Sequence, residues 1–257
     1  MERIVEKYWE FAVFASSDFF YNFKKIREQM KSNEHVKSIF CADDSSGTFL
    51  FAVEDEQKSL LKNQLKQSVI DYVLKVEKPK FLKNNLKNLY MLGNLDEIFL
   101  KTLCLFDTES DILEIEKNLR LEEQIYLKEF FCFKLKTLQK KWKQVCDLTN
   151  ENDFFFSSNE LVFQLLRFLL KDCKRVSKTI KIFNENNCVK IFKDGDNLVK
   201  QIDYEKWNTD VENQVVLAIL DNLPEKIFVV NKKQFNADFL GLLDLIFKNN
   251  LKFVFNA

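Results

Sequence analysis

Few residues of this chain could do chemistry, and they are scattered. His35 is the only histidine, in a polar stretch before a strand-like run. A Ser-His-Asp or Cys-His nucleophile would have to pass through it, and no nucleophile motif accompanies it. Arg167 is the one strongly polar intrusion in the apolar helix-like run Leu161 to Leu170. An unpaired interior charge costs several kcal/mol, so its guanidinium must meet a carboxylate or carbonyls, or else an anionic ligand. The structural ion pair is the expected outcome, and a ligand-binding arginine is the alternative. Asp194 and Asp196 flank Gly195 and offer oxygens to a cation. Asp-Gly between apolar runs is, however, the strongest short hairpin signal, so a turn is expected there. An enzyme built on Asp194, Asp196, Asp203 and Arg167 would need all of them on one pocket.

No catalytic residue, cofactor or metal ion is assigned from these patterns. Four glycines and two prolines leave no room for a Gly-rich phosphate loop or a dinucleotide fingerprint. Cys41, Cys104, Cys132, Cys146, Cys173 and Cys188 form no C-x-x-C pair, so zinc spacing is absent and six reduced thiols are expected.

The 39 basic and 39 acidic side chains cancel, so no net field draws the protein to nucleic acid or anionic lipid. Charge is instead blocked along the chain. Eight lysines fall between Gln57 and Leu89, nine acids between Asn94 and Glu123, and a second lysine group follows. In that group, Lys134, Lys136, Lys140, Lys141 and Lys143 are the candidate contacts for nucleic acid or an anionic partner. The structural alternative is that helices of opposite charge neutralise one another. Leu127, Phe131, Leu135, Leu138, Trp142 and Val145 recur at helical spacing beside these lysines, which makes them a core stripe rather than a stacking platform.

The elements that must position these residues follow from periodicity. Tyr8 to Ala15 reads as a strand, Phe19, Phe23, Ile26 and Met30 as a helix capped by Ser16, Ser17 or Asp18, and Val36 to Ala42 with Thr48 to Val53 as a hairpin. This gives a β-α-β-β unit over residues 1–56. A mainly helical region is expected over 57–150. Residues 151–257 then hold a nearly all-apolar helix expected to be buried, a hairpin at Thr179 to Phe192 with Leu198 to Ile202 beside it, and a β-α-β tail. In the tail a helix from Val211 to Leu223 meets Pro224, Ile227 to Val230 form a strand, and Lys252 to Phe255 form another. The fold class is α+β, with 27 phenylalanines supplying much of the core. Leu161 to Leu170 is about half the ~20 residues a membrane-spanning helix needs, and Met1 to Glu10 carries three glutamates, so a cytoplasmic protein without membrane insertion is expected.

The second half resembles a known family. Phe131-Cys132-Phe133-Lys134-Leu135-Lys136, then Glu160 through Leu165-Leu166-Arg167-Phe168, then Val216 to Val230 with Leu223-Pro224, are similar in order and spacing to the YtxC family of sporulation proteins of endospore-forming Firmicutes. The similarity spans roughly residues 123 to 255. It implies a sporulation-associated, cytoplasmic protein of unsettled molecular activity. Together with the missing catalytic constellation, it leads to an expected non-enzymatic interaction or scaffold protein with an unknown protein partner. Nucleic-acid binding through the lysine-rich helices is the alternative, and an unrecognised enzyme is a third reading.

Overall fold

The computed structural model describes residues 8–16, 19–30, 36–42, 46–156, 158–185, 188–195, 197–203 and 211–254. His35, the proposed caps Ser17 and Asp18, the turn residues Asp43 to Ser45, Asp196 and Phe255 lie outside them. In chain order the elements are β1 (Tyr8–Ser16), α1 (Phe20–Met30), β2 (Val36–Ala42), β3 (Ser46–Glu54), α2 (Lys58–Tyr72), α3 (Lys78–Asn85), α4 (Asp96–Leu105), α5 (Thr108–Asn118), β4 (Gln124–Tyr126) and α6 (Leu127–Glu129). They continue with α7 (Lys136–Glu151), α8 (Asn159–Lys171), β5 (Ser177–Glu185), β6 (Cys188–Lys193), β7 (Asn197–Asp203), α9 (Val211–Asn222), β8 (Pro224–Val230), α10 (Ala237–Phe247) and β9 (Leu251–Val254). This is an α+β protein. The chain divides into two compact units, residues 1–81 with 109–144, and 82–108 with 145–257. The helical middle of the sequence is therefore shared between them.

The first unit carries a four-stranded sheet in the order β2-β3-β1-β4. Strands β1 and β2 are both antiparallel to β3, which lies between them, so β1-α1-β2 is a split β-α-β crossover. Alternation decides which face is buried: Phe11, Val13, Ala15, Phe49, Phe51, Val53 and Ile125 all point into the core. Phe23 of α1 packs its ring on Phe49, and Leu61, Leu65 and Val69 of α2 are buried one helical turn apart. The strand β4 is missing from the sequence reading of 57–150. It is three residues long, too short for a period, and only its parallel pairing with Ala12 to Phe14 of β1 makes it a strand.

Charges are also buried in this unit. Asp111 of α5 is 0 % exposed, and its carboxylate accepts from Lys78 Nζ at 2.6 Å, Lys141 Nζ at 2.7 Å and Trp142 Nε1 at 3.0 Å. Beside it, buried Glu77 accepts from the Tyr72 hydroxyl and from Lys128 Nζ at 3.3 Å. Lys66 pairs with Glu116 at 2.9 Å. Of these four lysines of the two basic blocks, three meet the acidic block, Lys66 at Glu116 and Lys78 and Lys141 at Asp111, and Lys128 meets the first basic block's own Glu77, as the neutralisation reading expects. The π-helical turn Val73–Glu77 leads into Lys78, and both of these successive charged residues are buried.

The second unit carries a five-stranded sheet in the order β7-β6-β5-β8-β9. The meander β5-β6-β7 is antiparallel, while β5, β8 and β9 are parallel neighbours. The tail is a β-α-β unit as expected, with Phe235, Phe239, Leu243 and Ile246 buried. The crossovers through α9 and α10 step in the same direction across the sheet, so their common right hand places both helices on one face. Burial agrees: Ile180, Ile182, Val189, Ile191, Ile202, Ile227 and Val229 are core, while Lys181, Phe183, Lys190, Phe192 and Phe228 between and beside them are half-buried. The side chain of Ser158 caps α8 by accepting from Leu161 N. That helix is not buried all round as expected, because Gln164 and Phe168 are exposed while Val162, Phe163, Leu166, Leu169 and Leu170 are buried.

The buried charges yield two measurable outcomes. Asp111→Ala strips Lys78 and Trp142 of their common acceptor and should cost about 3–5 kcal/mol in urea denaturation, whereas Asp111→Leu combined with Lys78→Met should cost far less. An equal loss in both variants would contradict this. Burial, reinforced by the Glu77 carboxylate on its hydroxyl, pushes Tyr72 well above the ordinary tyrosine range. The raised folded value means its contribution is complete below the unfolded pKa of about 10 and declines as pH rises beyond it. Denaturation midpoints should therefore fall more steeply above that pH in the natural protein than in Tyr72→Phe.

Candidate functional site

Arg167, Asp194 and Asp203 do not converge on one cleft. The Asp194 carboxylate accepts from the backbone N of Lys178 at 2.8 Å and of Thr179 at 2.9 Å, and its own N donates to Thr179 O at 3.0 Å. With positive φ at Asp194 and Gly195, it serves a turn, as expected. Asp203 accepts from the Gln201 amide at 3.0 Å. No group of three or more His, Cys, Asp or Glu residues suited to a metal occurs among the described residues. All six cysteines are free thiols, with Cys146, Cys173 and Cys188 buried and Cys41 exposed.

Arg167 corrects an expectation. It has no ion pair among the described residues and lies half-buried in a cleft of about 470 Å³ with Gln164, Phe168, Lys171, Arg175 and Lys248. Its position on α8, beside exposed Gln164 and Phe168, turns it to the rim of the helix's buried stripe instead of into the core.

The five proposed lysine contacts separate in the structure. Lys141 is taken up by Asp111 and by Ser110 Oγ at 3.1 Å, and Lys143 is half-buried and engaged. Lys134, Lys136 and Lys140 are exposed. The stripe beside them behaves as core over most of its length: Leu127, Phe131, Leu135, Leu138 and Trp142 are buried, and Val145 is half-buried.

What sequence reasoning missed are the uncovered sheet faces. On the first sheet, register places Ala12 opposite Leu50, Leu50 opposite Ile39, and Phe14 beside Tyr126. All point away from the core. Ile39 is 58 % exposed, Leu50 42 % and Tyr126 43 %. The Phe14 and Tyr126 rings stack at 4.1 Å. A cleft of about 610 Å³ runs over this face, lined by residues 8–12, 37–39, 50–52, Glu122 and Glu123. Its charge is lopsided. Glu10, Glu122 and Glu123 form no ion pair among the described residues, and the one cation among the described lining residues, Lys37, holds its Nζ over the Tyr8 ring at 4.9 Å, while Lys58 and Lys62 hold theirs over the ring of Trp9 at 5.7 and 5.1 Å. The signal in the sequence was that Leu50 and Ala52 sit between Phe49, Phe51 and Val53, leaving both faces of one strand apolar.

The second sheet's open face differs. By register it carries Lys181 and Phe183 of β5, Lys190 and Phe192 of β6, Lys226 and Phe228 of β8, and Lys252 of β9. Phe183 and Phe192 meet edge to face at 5.5 Å, and Lys190 pairs with Glu185 at 3.6 Å.

No helix among the described residues is long and apolar enough to cross a membrane. No family model matches the chain, and neither a curated protein nor a solved structure matches it.

Proposed function

We propose that this is a non-enzymatic interaction protein that works in the cytoplasm of a sporulating cell and docks a protein partner on the open face of its first sheet. The observation that carries the docking is the exposed apolar face with Ile39, Leu50 and Tyr126, over which runs a cleft whose Glu10, Glu122 and Glu123 have no ion pair among the described residues. A patch of this kind on a four-stranded sheet marks an interaction site. Glu10, Glu122 and Glu123 select a segment whose apolar side chains are flanked by lysine or arginine, since an acidic segment would meet like charge. The sporulation setting is supported by the resemblance of residues 123 to 255 to the YtxC family.

A second reading, nucleic-acid binding, is favoured by a different observation. In the two lysine blocks Lys66, Lys78, Lys128 and Lys141 have carboxylate partners, and of the five candidate contacts this removes Lys141. Phenylalanines interleaved with lysines on the second sheet's open face, however, have the composition of a single-strand platform: rings for bases and ammonium groups for phosphates.

Deleting the gene should lower spore yield. Complementation by Leu50→Glu, placed on an exposed position so that the fold survives, should fail where Lys136→Gln restores. Normal sporulation after deletion would remove the sporulation setting, and full rescue by Leu50→Glu would remove the docking face. For the second reading, retardation of single-stranded DNA should weaken with a log-log salt slope of about −0.7 per phosphate contacted, and Phe192→Ala should reduce it. The absence of any retardation at low salt sinks that reading.

A further inference from the structure

The cleft around Arg167 holds four cationic side chains and, among its described lining residues, no carboxylate. Arg167 and Lys171 stand four residues apart on α8, so they share one face of the helix, an arrangement that repels and lowers helix stability. Arg175 and Lys248 arrive just beyond the C-terminal ends of α8 and α10. Cations there satisfy helix carbonyls, and Arg175 does so, donating from Nη2 to Leu170 O at 3.4 Å. That role accounts for one of the four. The side chains of Arg167, Lys171 and Lys248 have no hydrogen bond or ion pair among the described residues. Two helix C-termini contribute roughly half a negative charge each, against four full positive charges, which leaves the cleft with a large positive excess.

We propose that this cleft binds the phosphate group of a phosphate monoester. The Arg167 guanidinium fork, the ammonium groups of Lys171 and Lys248 and the Arg175 donors not spent on Leu170 O match the oxygens of a dianion, and arginine presents its donors in a geometry that suits phosphate bidentately. At about 470 Å³ the cleft has the size of a small-ligand site. Gln164 and Asn249 add amide donors at its wall, and Phe168, 65 % exposed at the rim, offers a ring face to an organic group on the phosphate. The site belongs to the second unit and is independent of the docking face on the first sheet, so either assignment can fail while the other stands.

The test is calorimetric titration of the full chain at low salt with two probes, inorganic phosphate and adenosine 5′-monophosphate. Saturable binding is expected, weakened about tenfold by Arg167→Gln and again by Lys248→Gln, a change at an exposed position just past the end of α10. Phe168→Ala distinguishes the sources: it should weaken the nucleotide and spare phosphate if a base stacks there, and it spares both if the phosphate alone is held. No saturable binding of either probe at millimolar concentration, or binding unchanged in both Arg167→Gln and Lys248→Gln, would overturn the assignment.

Discussion

The carboxylate of Asp111 ties α5 to the parts of α3 and α7 that belong to the first unit. It reaches α3 through Lys78 and α7 through both Lys141 and Trp142. A buried charge of this kind contributes little net stability compared with apolar packing, because desolvation offsets the attraction. What it does is fix register. Only one rotation of α5 brings Asp111 within reach of Lys78 and the indole at once, and that rotation also buries Ile115. The lysine blocks and the acidic block of the sequence are accordingly less a field directed outward than the two halves of internal contacts.

Both units answer the same problem in the same way. Each sheet buries one face under its own helices and leaves the other uncovered by them. On the first sheet the open face is apolar with acidic margins; on the second it alternates lysine and phenylalanine. The α9 and α10 crossovers explain the second case, since a shared hand and a shared direction confine both helices to one side. Neither face needs a catalytic group to be useful, and each offers a different chemistry to a partner.

Much of this could be read along the chain. The strand β1, the hairpin of β2 and β3, the meander from Ser177 to Asp203 and the β-α-β tail all follow from periodicity and turn residues, and Asp194-Gly195 takes the positive φ values its turn needs. The stripe from Leu127 to Trp142 announced itself as core, and it is core. Arg167 did not announce its place: an apolar run around it looked like an interior helix, yet the helix has one open side. Nor did β4, whose three residues become a strand only because β1 is there to pair with them.

Local pattern settled most element types and the fold class, because these depend on spacing within about ten residues. Which face of a strand or helix is covered depends on partners brought from far along the chain. Leu50 and Phe51 are neighbours in a strand and equally apolar, but one is exposed and the other buried, since helices pack on one side of β3 alone. Lys140 and Lys141 are also adjacent, but only Lys141 reaches Asp111, 30 residues away in sequence. Burial and charge pairing are properties of the assembled layers, and the sites that remain, the open sheet faces and the Arg167 cleft, are what those layers leave uncovered.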